Sequence, residues 1–397
     1  MPLTTTTEMS NSVKQAYLTE YVVGAQRGKV YDQLSHPVGA DMKMLGAGTA
    51  VNIPFIARLA RSEQTISQTQ DIPTTQLKDA TVQLTPTSVA NAINWPELLD
   101  IQKYTDYTAR AFEEVGKNMM ESVDWLAAKA ALNGAFNKSF TGRSSLDAGT
   151  TTHRITRNNF VNASIFLSDL GVPSLPTVRG ERHIAVFNPW IMGDLMNDTN
   201  ILAVGQYQEK GIILNWEVGE VNGFALVVTN DAKLFLAAGA ANATAIGTTM
   251  ANDTESLVTT FDVASGTSIA AGMWLLIGAK ETGSTFYTTN ERVFVVSVAT
   301  NTLVIIGGGE NGGLKYNHKA GETVSNSDTV TPVVFGGPMS MGKVFAAETS
   351  EYGTIVGPKK DGVLDQFNIL GYKYYGGYGI VSGNQIFRSE FSSSMDA

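Results

Sequence analysis

Residues able to do chemistry are few in this chain, and they are scattered. There are four histidines, His36, His153, His183 and His318, and no cysteine. Without thiols there can be no disulfide, no thiolate metal site and no cysteine nucleophile. No two histidines stand at ligand spacing, and neither an H-E-x-x-H helix nor a G-x-S-x-G elbow occurs. His183 heads an apolar run and reads as a structural histidine. The stretch Gly307-Gly308-Gly309-Glu310-Asn311-Gly312-Gly313 has the glycine content of a phosphate cradle but no Lys-Ser/Thr after it. It leads into no helix, and Glu310 at its centre would repel an anion, so it reads as a hairpin turn. Carboxylates occur as Glu113 and Glu114, Glu217 and Glu220, and Asp361 and Asp365. The first two are adjacent on a helix and point about 100° apart, so they do not converge. The sequence therefore predicts no enzyme: no catalytic residue, no metal and no cofactor.

What the chain offers instead is residues suited to contact between proteins. Arg58, Arg61, Glu63 and Lys78 lie in or beside a polar stretch that has nothing to form a core. Glu113 and Glu114 stand four and three residues before Lys117, a solvated helix face, and could also pair across a subunit boundary with Arg58, Arg61 or Lys78. Tyr372, Tyr374, Tyr375 and Tyr378 form the densest aromatic cluster, with one lysine and no arginine among them. That composition disfavours base stacking and favours tyrosine bodies packed at a subunit contact with wet hydroxyl tips. The candidate contact residues are thus Arg58, Arg61, Glu63, Lys78, Glu113, Glu114, Tyr372 and Tyr374.

Charge agrees with this emphasis. The 397 residues carry 28 Lys/Arg against 37 Asp/Glu, a net charge of −9, and charged residues make up only 16%. Ordinary soluble domains hold about 25%, so much of the surface is expected to meet protein. A net negative chain with no strongly basic segment is not a sequence-independent nucleic-acid binder. Met1–Ser12 is polar and threonine-rich and does not read as a signal peptide, and no apolar run approaches the ~20 residues of a membrane helix.

The elements that must position these residues follow from periodicity. A length of 397 is a prior for two or three domains at about 150 residues each. Residues 1–45 read as an arm with a short helix from Ser12 to Arg27. Residues 46–92 alternate at both ends (Val51, Ile53, Phe55; Val82, Leu84) around the polar middle Ser62–Thr75. This predicts a long projecting β-hairpin that cannot be stable alone. Phe112, Val115, Met119, Val123, Leu126 and Ala130 form a 3.6-residue stripe, a helix of about 28 residues entered at Thr105 and stopped at Gly134. Residues 158–236 read as mixed α/β. They comprise a helix Asn159–Leu170, a strand His183–Phe187, a short helix opened by Pro189, and a hairpin Glu217–Thr229 with a strongly buried second strand. Ala237–Ala251 has linker character. Short strands Leu257–Val263, Met273–Ile277, Arg292–Val298 and Thr302–Ile306 then predict a small β-barrel or sandwich over 237–332, inserted between two parts of another domain.

Several strings, and above all their order, carry a resemblance. "GTAVNIPFIARL" (Gly48–Leu59), "FNPWIMGDLMND" (Phe187–Asp198), "WEVGEVNGFALVVTND" (Trp216–Asp231), "VVFGGPMSMGKV" (Val333–Val344) and "LDQFNILGYKYYGGYGIVSGNQIFRSE" (Leu364–Glu390) resemble pieces of tailed-phage major capsid proteins of the Hong Kong 97 fold, those of the N-four type most closely. The resemblance implies an α+β capsid fold. Its parts would be the arm (1–45), the extended loop (46–92), a peripheral domain with a spine helix (93–157 and 360–397), and an axial α/β domain (158–236 and 333–359). The inserted small β-barrel (237–332) departs from the shortest relatives. Some relatives crosslink a loop lysine; Lys78, the only lysine in this loop, reads as solvated or salt-bridged.

The function implied is a shell subunit that self-assembles into pentamers and hexamers of an icosahedral virion head. It would assemble in the host cytoplasm, through a procapsid that matures, around double-stranded DNA it does not bind specifically. A scaffolding protein, a portal and a decoration protein are the implied partners, and no membrane is involved. Two other readings stay open: a secreted or surface β-rich adhesin or carbohydrate-active protein, and a phage tail or tube protein.

Overall fold

The structure is a computed structural model that describes residues 30–37, 50–56, 76–102, 107–134, 136–137, 153–172, 174–177, 180–198, 220–229, 235–236, 247–278, 291–309, 311–325, 329–337, 340–345, 353–361, 366–381, 383 and 385–394. The expected arm helix Ser12–Arg27, the polar middle of the hairpin with Arg58, Arg61 and Glu63, the cap Thr105, and Glu217, Glu310 and Asp365 lie outside the described residues. The chain divides into two compact units, Met1–Gly134 with Met339–Ser382, and Ala135–Pro338 with Gly383–Ala397.

The first unit is built on the helix Tyr107–Gly134, 28 residues long and so about 42 Å in length. Phe112, Val115, Met119 and Val123 of the predicted stripe are buried. They pack with Trp95, Leu370, Tyr372 and Tyr374 into one cluster, so the amphipathic face finds its partner in a sheet. The central strand of that sheet is Phe367–Ile380. Thr87–Pro96 pairs with it antiparallel from Pro96↔Phe367 to Thr87↔Gly376. Met341–Phe345 and Thr354–Asp361 also pair with it antiparallel, and Ser35–Pro37 adds a parallel strand beside Met341–Phe345. Side chains alternate along the central strand. Leu370, Tyr372 and Tyr374 point into the core, while Lys373 and Tyr375 are exposed. Glycine lets the strands approach closely: a Cβ on Gly371 would stand 2.6 Å from the Asn91 carbonyl oxygen.

The second unit contains two sheets. One runs in the order Phe136–Asn137, Ile386–Phe391, Thr329–Gly336, Gly180–Phe187, Phe224–Val228, Glu220–Val221. The helices Arg157–Asp169 and Pro189–Met196 contribute to its core. Thr156 and Asn159 form a reciprocal capping box on the first helix, and Asn188 accepts the Trp190 N–H at 3.0 Å ahead of Pro189 on the second. Phe160 sits edge-to-face against Phe187, Phe224 and Phe335, an arrangement that adds to area burial. The Asn222-Gly223 turn has φ of 47° and 82°, the left-handed pair that a tight hairpin requires.

The other sheet is antiparallel throughout. Its order is Gly247–Thr249, Thr323–Ser325, Trp274–Gly278, Glu291–Ala299, Thr302–Ile306, Thr260–Asp262, and it encloses its own apolar cluster. A bridge Met250↔Val263 joins the segments adjoining its two edge strands. Arg292 stacks on Trp190, 3.2 Å from the ring centroid, and Trp190 meets Trp274 edge-on. This sheet therefore also leans on the helix Pro189–Met196.

Several expectations are corrected. The hairpin ladder ends at Leu84 rather than running to 92, because Pro86 has no N–H for it and the chain re-enters as Thr87–Pro96 in another sheet. Met341–Phe345 and the strand Thr354–Asp361 as far as Lys359, assigned to the axial part, pair with the central strand of the first unit. Ile386–Phe391, assigned to the peripheral part, pairs instead with Thr329–Gly336. Gly247–Thr249, within the expected linker, is a strand. Phe224–Val228 is less buried than expected, with Val228 40% exposed.

Candidate assembly interface

The feature best suited to meet another chain is the hairpin of Val51–Ile56 with Asp79–Leu84, paired from Val51↔Leu84 to Ile56↔Asp79. Its root is fixed. Ile53 and Leu84 are buried and cluster with Val344, flanked by Val51 and Val381. Leu84 lies over Gly379 so closely that a Cβ there would collide with its side chain. Away from the root, burial disappears. Ile56 is 72% and Leu77 66% exposed, and the strand Asp79–Leu84 becomes exposed towards Asp79. Two strands without a packed face are marginal in water, so these apolar side chains lack the burial the hairpin needs. Lys78 is exposed in the same region.

The other candidate contact residues fare differently. Glu113 meets Lys117 at 3.2 Å and Glu114 meets it at 4.0 Å, the i,i+4 and i,i+3 pairs of a helix face. Tyr372 and Tyr374 do not present themselves to a neighbour, which corrects the expectation: both are 2% exposed. The strand period turns them towards the long helix, and the Tyr372 hydroxyl bonds Ser122 at 2.9 Å and Asn118 at 3.1 Å. Burial pushes the Tyr372 phenol above its usual range. Tyr375, one position on and 43% exposed, is the tyrosine that faces outward.

Sequence reasoning missed the anchor of the arm. One carboxylate oxygen of Asp124, on the long helix, accepts the N–H groups of Val30, Tyr31 and Asp32 at 3.0, 2.8 and 3.2 Å. It thereby caps the short 3-10 turn Tyr31–Leu34. Asp32 pairs with Lys343 at 3.2 Å, both side chains being about nine-tenths buried, and accepts the Tyr378 hydroxyl at 3.0 Å. Burial raises Asp124 to about 7 against the three backbone bonds, which pull the other way, and holds the Tyr378 phenol far above its usual range. No spacing signals this network, since its partners lie 92 to 346 residues apart.

Among the described residues no group of three or more His, Asp or Glu is placed to hold a metal, and no helix is long and apolar enough to cross a membrane. His183 is buried against Phe224, and burial pushes its imidazole down, as fits a structural residue.

No protein-family model matches the chain, and no curated protein matches it. Solved structures do. The chain is similar to one in the capsid structure of the cyanophage P-SCSP1u, with 10% identity over 91% of this chain and 88% of that one, TM-score 0.54. It is similar to one in the capsid of Ralstonia phage GP4, with 12% identity over 92% and 89%, TM-score 0.51. It is also similar to one in the capsid asymmetric unit of cyanophage Pam1, with 12% identity over 90% and 88%, TM-score 0.51. At such identities the likeness is one of fold, and it extends over nearly the whole of each chain.

Proposed function

We propose that this chain is a major capsid protein, the subunit of an icosahedral phage head. The observation that carries the reading is the hairpin, whose root is buried in its own unit while Ile56 and Leu77 stand bare. A second copy of the chain supplies the missing support. The fold shared with chains of phage capsids is what makes that partner a copy of itself.

The mechanism is cooperative burial. A hairpin covering about 1,000 Å² of apolar surface at ~25 cal/mol/Å² supplies a gross ~25 kcal/mol, against ~4–15 kcal/mol for association. Repeated around pentamers and hexamers, contacts of that size make a closed shell. In this reading the fold is of the Hong Kong 97 type, with the helix Tyr107–Gly134 as spine, and the sheet between Gly247 and Ser325 is a barrel inserted in the axial part. The virion head is its location and its role is structural rather than enzymatic. An acidic chain encloses double-stranded DNA without gripping it. Arg58, Arg61, Glu63, Lys78, Glu113 and Glu114 are the polar contacts proposed at the boundary between subunits. A scaffolding protein, a portal and a decoration protein are the partners proposed for assembly.

The test is negative-stain microscopy with sedimentation velocity on the full chain and on a chain lacking Ser62–Thr75. Closed icosahedral shells from the first and a soluble, folded, non-assembling second are expected. Normal shells from the shortened chain would overturn the role of the hairpin. A full chain that stays monomeric, alone and with the product of the neighbouring gene, would overturn the function.

A further inference from the structure

His318 lies beside the sheet of the second unit between Gly247 and Ser325, in the segment that leads to its strand Thr323–Ser325, and it is 1% exposed. Both of its ring nitrogens face carboxylates. Nδ1 stands 2.6 Å from Glu322 Oε2, and Nε2 stands 2.8 Å from Glu291 Oε1. The two oxygens of Glu291 also accept the N–H groups of Lys315 at 2.8 Å and Tyr316 at 3.1 Å. A neutral imidazole could donate to one glutamate only. Its bare nitrogen would then face the other carboxylate across less than 3 Å, with both glutamate side chains almost fully enclosed. Lone pair against anion, away from water, is a strongly unfavourable arrangement. The geometry therefore calls for the imidazolium, which donates to both sides.

The same residues close the sheet. His318 and Thr254 exchange backbone bonds at 2.9 Å each way, Gly321 donates to the Met250 carbonyl and Met250 to that of Glu322, both at 2.9 Å, and Leu314 donates to Val258 at 3.0 Å. The segment 314–322 is thus laid against 250–258, and the glutamate at the head of the strand Glu291–Ala299 pins it from the other side. We propose that His318 is a proton-held clasp: as the imidazolium it fastens the segment 314–322 to that strand, and loss of its second proton in alkaline solution releases the segment.

The neighbouring charges are consistent with this. Desolvation alone would push the imidazole down, but the hydrogen bonds and charges of Glu291 and Glu322 outweigh it and raise it above its ordinary 6.5. Lys319 is exposed, pairs with Asp253 at 2.8 Å and feels the charge of Glu322, while the Lys315 ammonium sits over the Tyr316 ring. A folded value above the unfolded one fixes the sign. The contribution of the clasp is complete below the ordinary value of 6.5 and disappears as pH rises through the folded value.

Hydrogen exchange of the full chain between pH 6 and pH 9, corrected for intrinsic rates, tests the clasp. Protection of peptides covering 314–322 should fall with rising pH, at up to about tenfold per pH unit once the unfolded state has lost its proton. Peptides from Phe367–Ile380 should not follow above about pH 8, where Asp124 of that unit, raised to about 7, has already lost its proton. Glu322→Gln should move the fall to lower pH, and His318→Gln should give low protection with no slope. Flat protection in the unaltered chain, or an undiminished slope in His318→Gln, would overturn the proposal. Should His318→Gln not fold, nitrogen NMR of ring-labelled histidine in the unaltered chain decides: two protonated ring nitrogens at neutral pH support the clasp, and a neutral tautomer refutes it.

Discussion

Replacing Ile56 with Thr and Leu77 with Ser should separate assembly from folding. In the chain alone these side chains are 72% and 66% exposed, so each has most of its burial still to gain. Full burial of an Ile or Leu contributes ~1.5–3 kcal/mol. Two-thirds to three-quarters of that is about 1–2 kcal/mol each, or roughly 2–4 kcal/mol per subunit for the pair. At ~1.4 kcal/mol per factor of ten, the concentration at which shells form should rise roughly 30- to 700-fold. The stability of the unassembled chain should move by no more than about 0.5 kcal/mol, because exposed sites without special contacts seldom matter more. Light scattering against concentration, backed by sedimentation velocity, reads the threshold, and a circular-dichroism melt reads the fold. Ile53→Ala is the contrast. That residue is 8% exposed in the root, so its loss should cost ~2–5 kcal/mol in the melt itself. An unchanged assembly threshold in the double variant, or a melt that falls as far as that of Ile53→Ala, would refute the argument that these side chains wait for another subunit.

Tyr372→Phe leaves Asn118 and Ser122 without their shared partner, so folded stability should fall by about 1 kcal/mol in a urea titration. The assembly threshold should stay put, as befits a core residue. Lys343→Met strands the buried Asp32 carboxylate beside Asp124 and should cost ~3–5 kcal/mol, read in the same titration. Asp124 has its pKa raised from 3.8 to about 7, so the folded state holds a proton the unfolded state has lost. Stability should therefore drop as pH climbs from about 4 to about 7, by at most ~1.4 kcal/mol per unit. Asp124→Asn, which keeps an acceptor for the three N–H groups, should flatten that slope in melts taken across the window.

What could be read from the residues was what local spacing controls. The stripe from Phe112 to Val123 announced the long helix, and Pro189 marked the opening of the short one. The strands read at Arg292–Val298 and Thr302–Ile306 match Glu291–Ala299 and Thr302–Ile306, on either side of a tight turn at Asn301. What escaped was what distant pairing controls. Thr87–Pro96 looks like the end of the hairpin until it is seen bonded to a strand about 280 residues later. The same pairing turns Tyr372 and Tyr374 inward, which no count of tyrosines could reveal. The cluster of His318 with Glu322 and Glu291 escaped as well, because only closure of the sheet brings Glu291 to the other side of the ring. The arm anchor likewise joins residues that composition treats as unrelated.

The wiring of the first unit dictates when it can be completed. Its helix and the strand Thr87–Pro96 are synthesised early, yet the sheet they need is supplied by 341–380, and even the arm strand Ser35–Pro37 waits for Met341–Phe345. Until residues 341–380 have been made, the apolar stripe of the helix stays wet, a state prone to aggregation and suited to chaperone capture. The sheet between Gly247 and Ser325 draws on nearer partners and can close while translation is still under way. A product truncated before Val344 therefore lacks a residue of the buried hairpin root formed with Ile53 and Leu84.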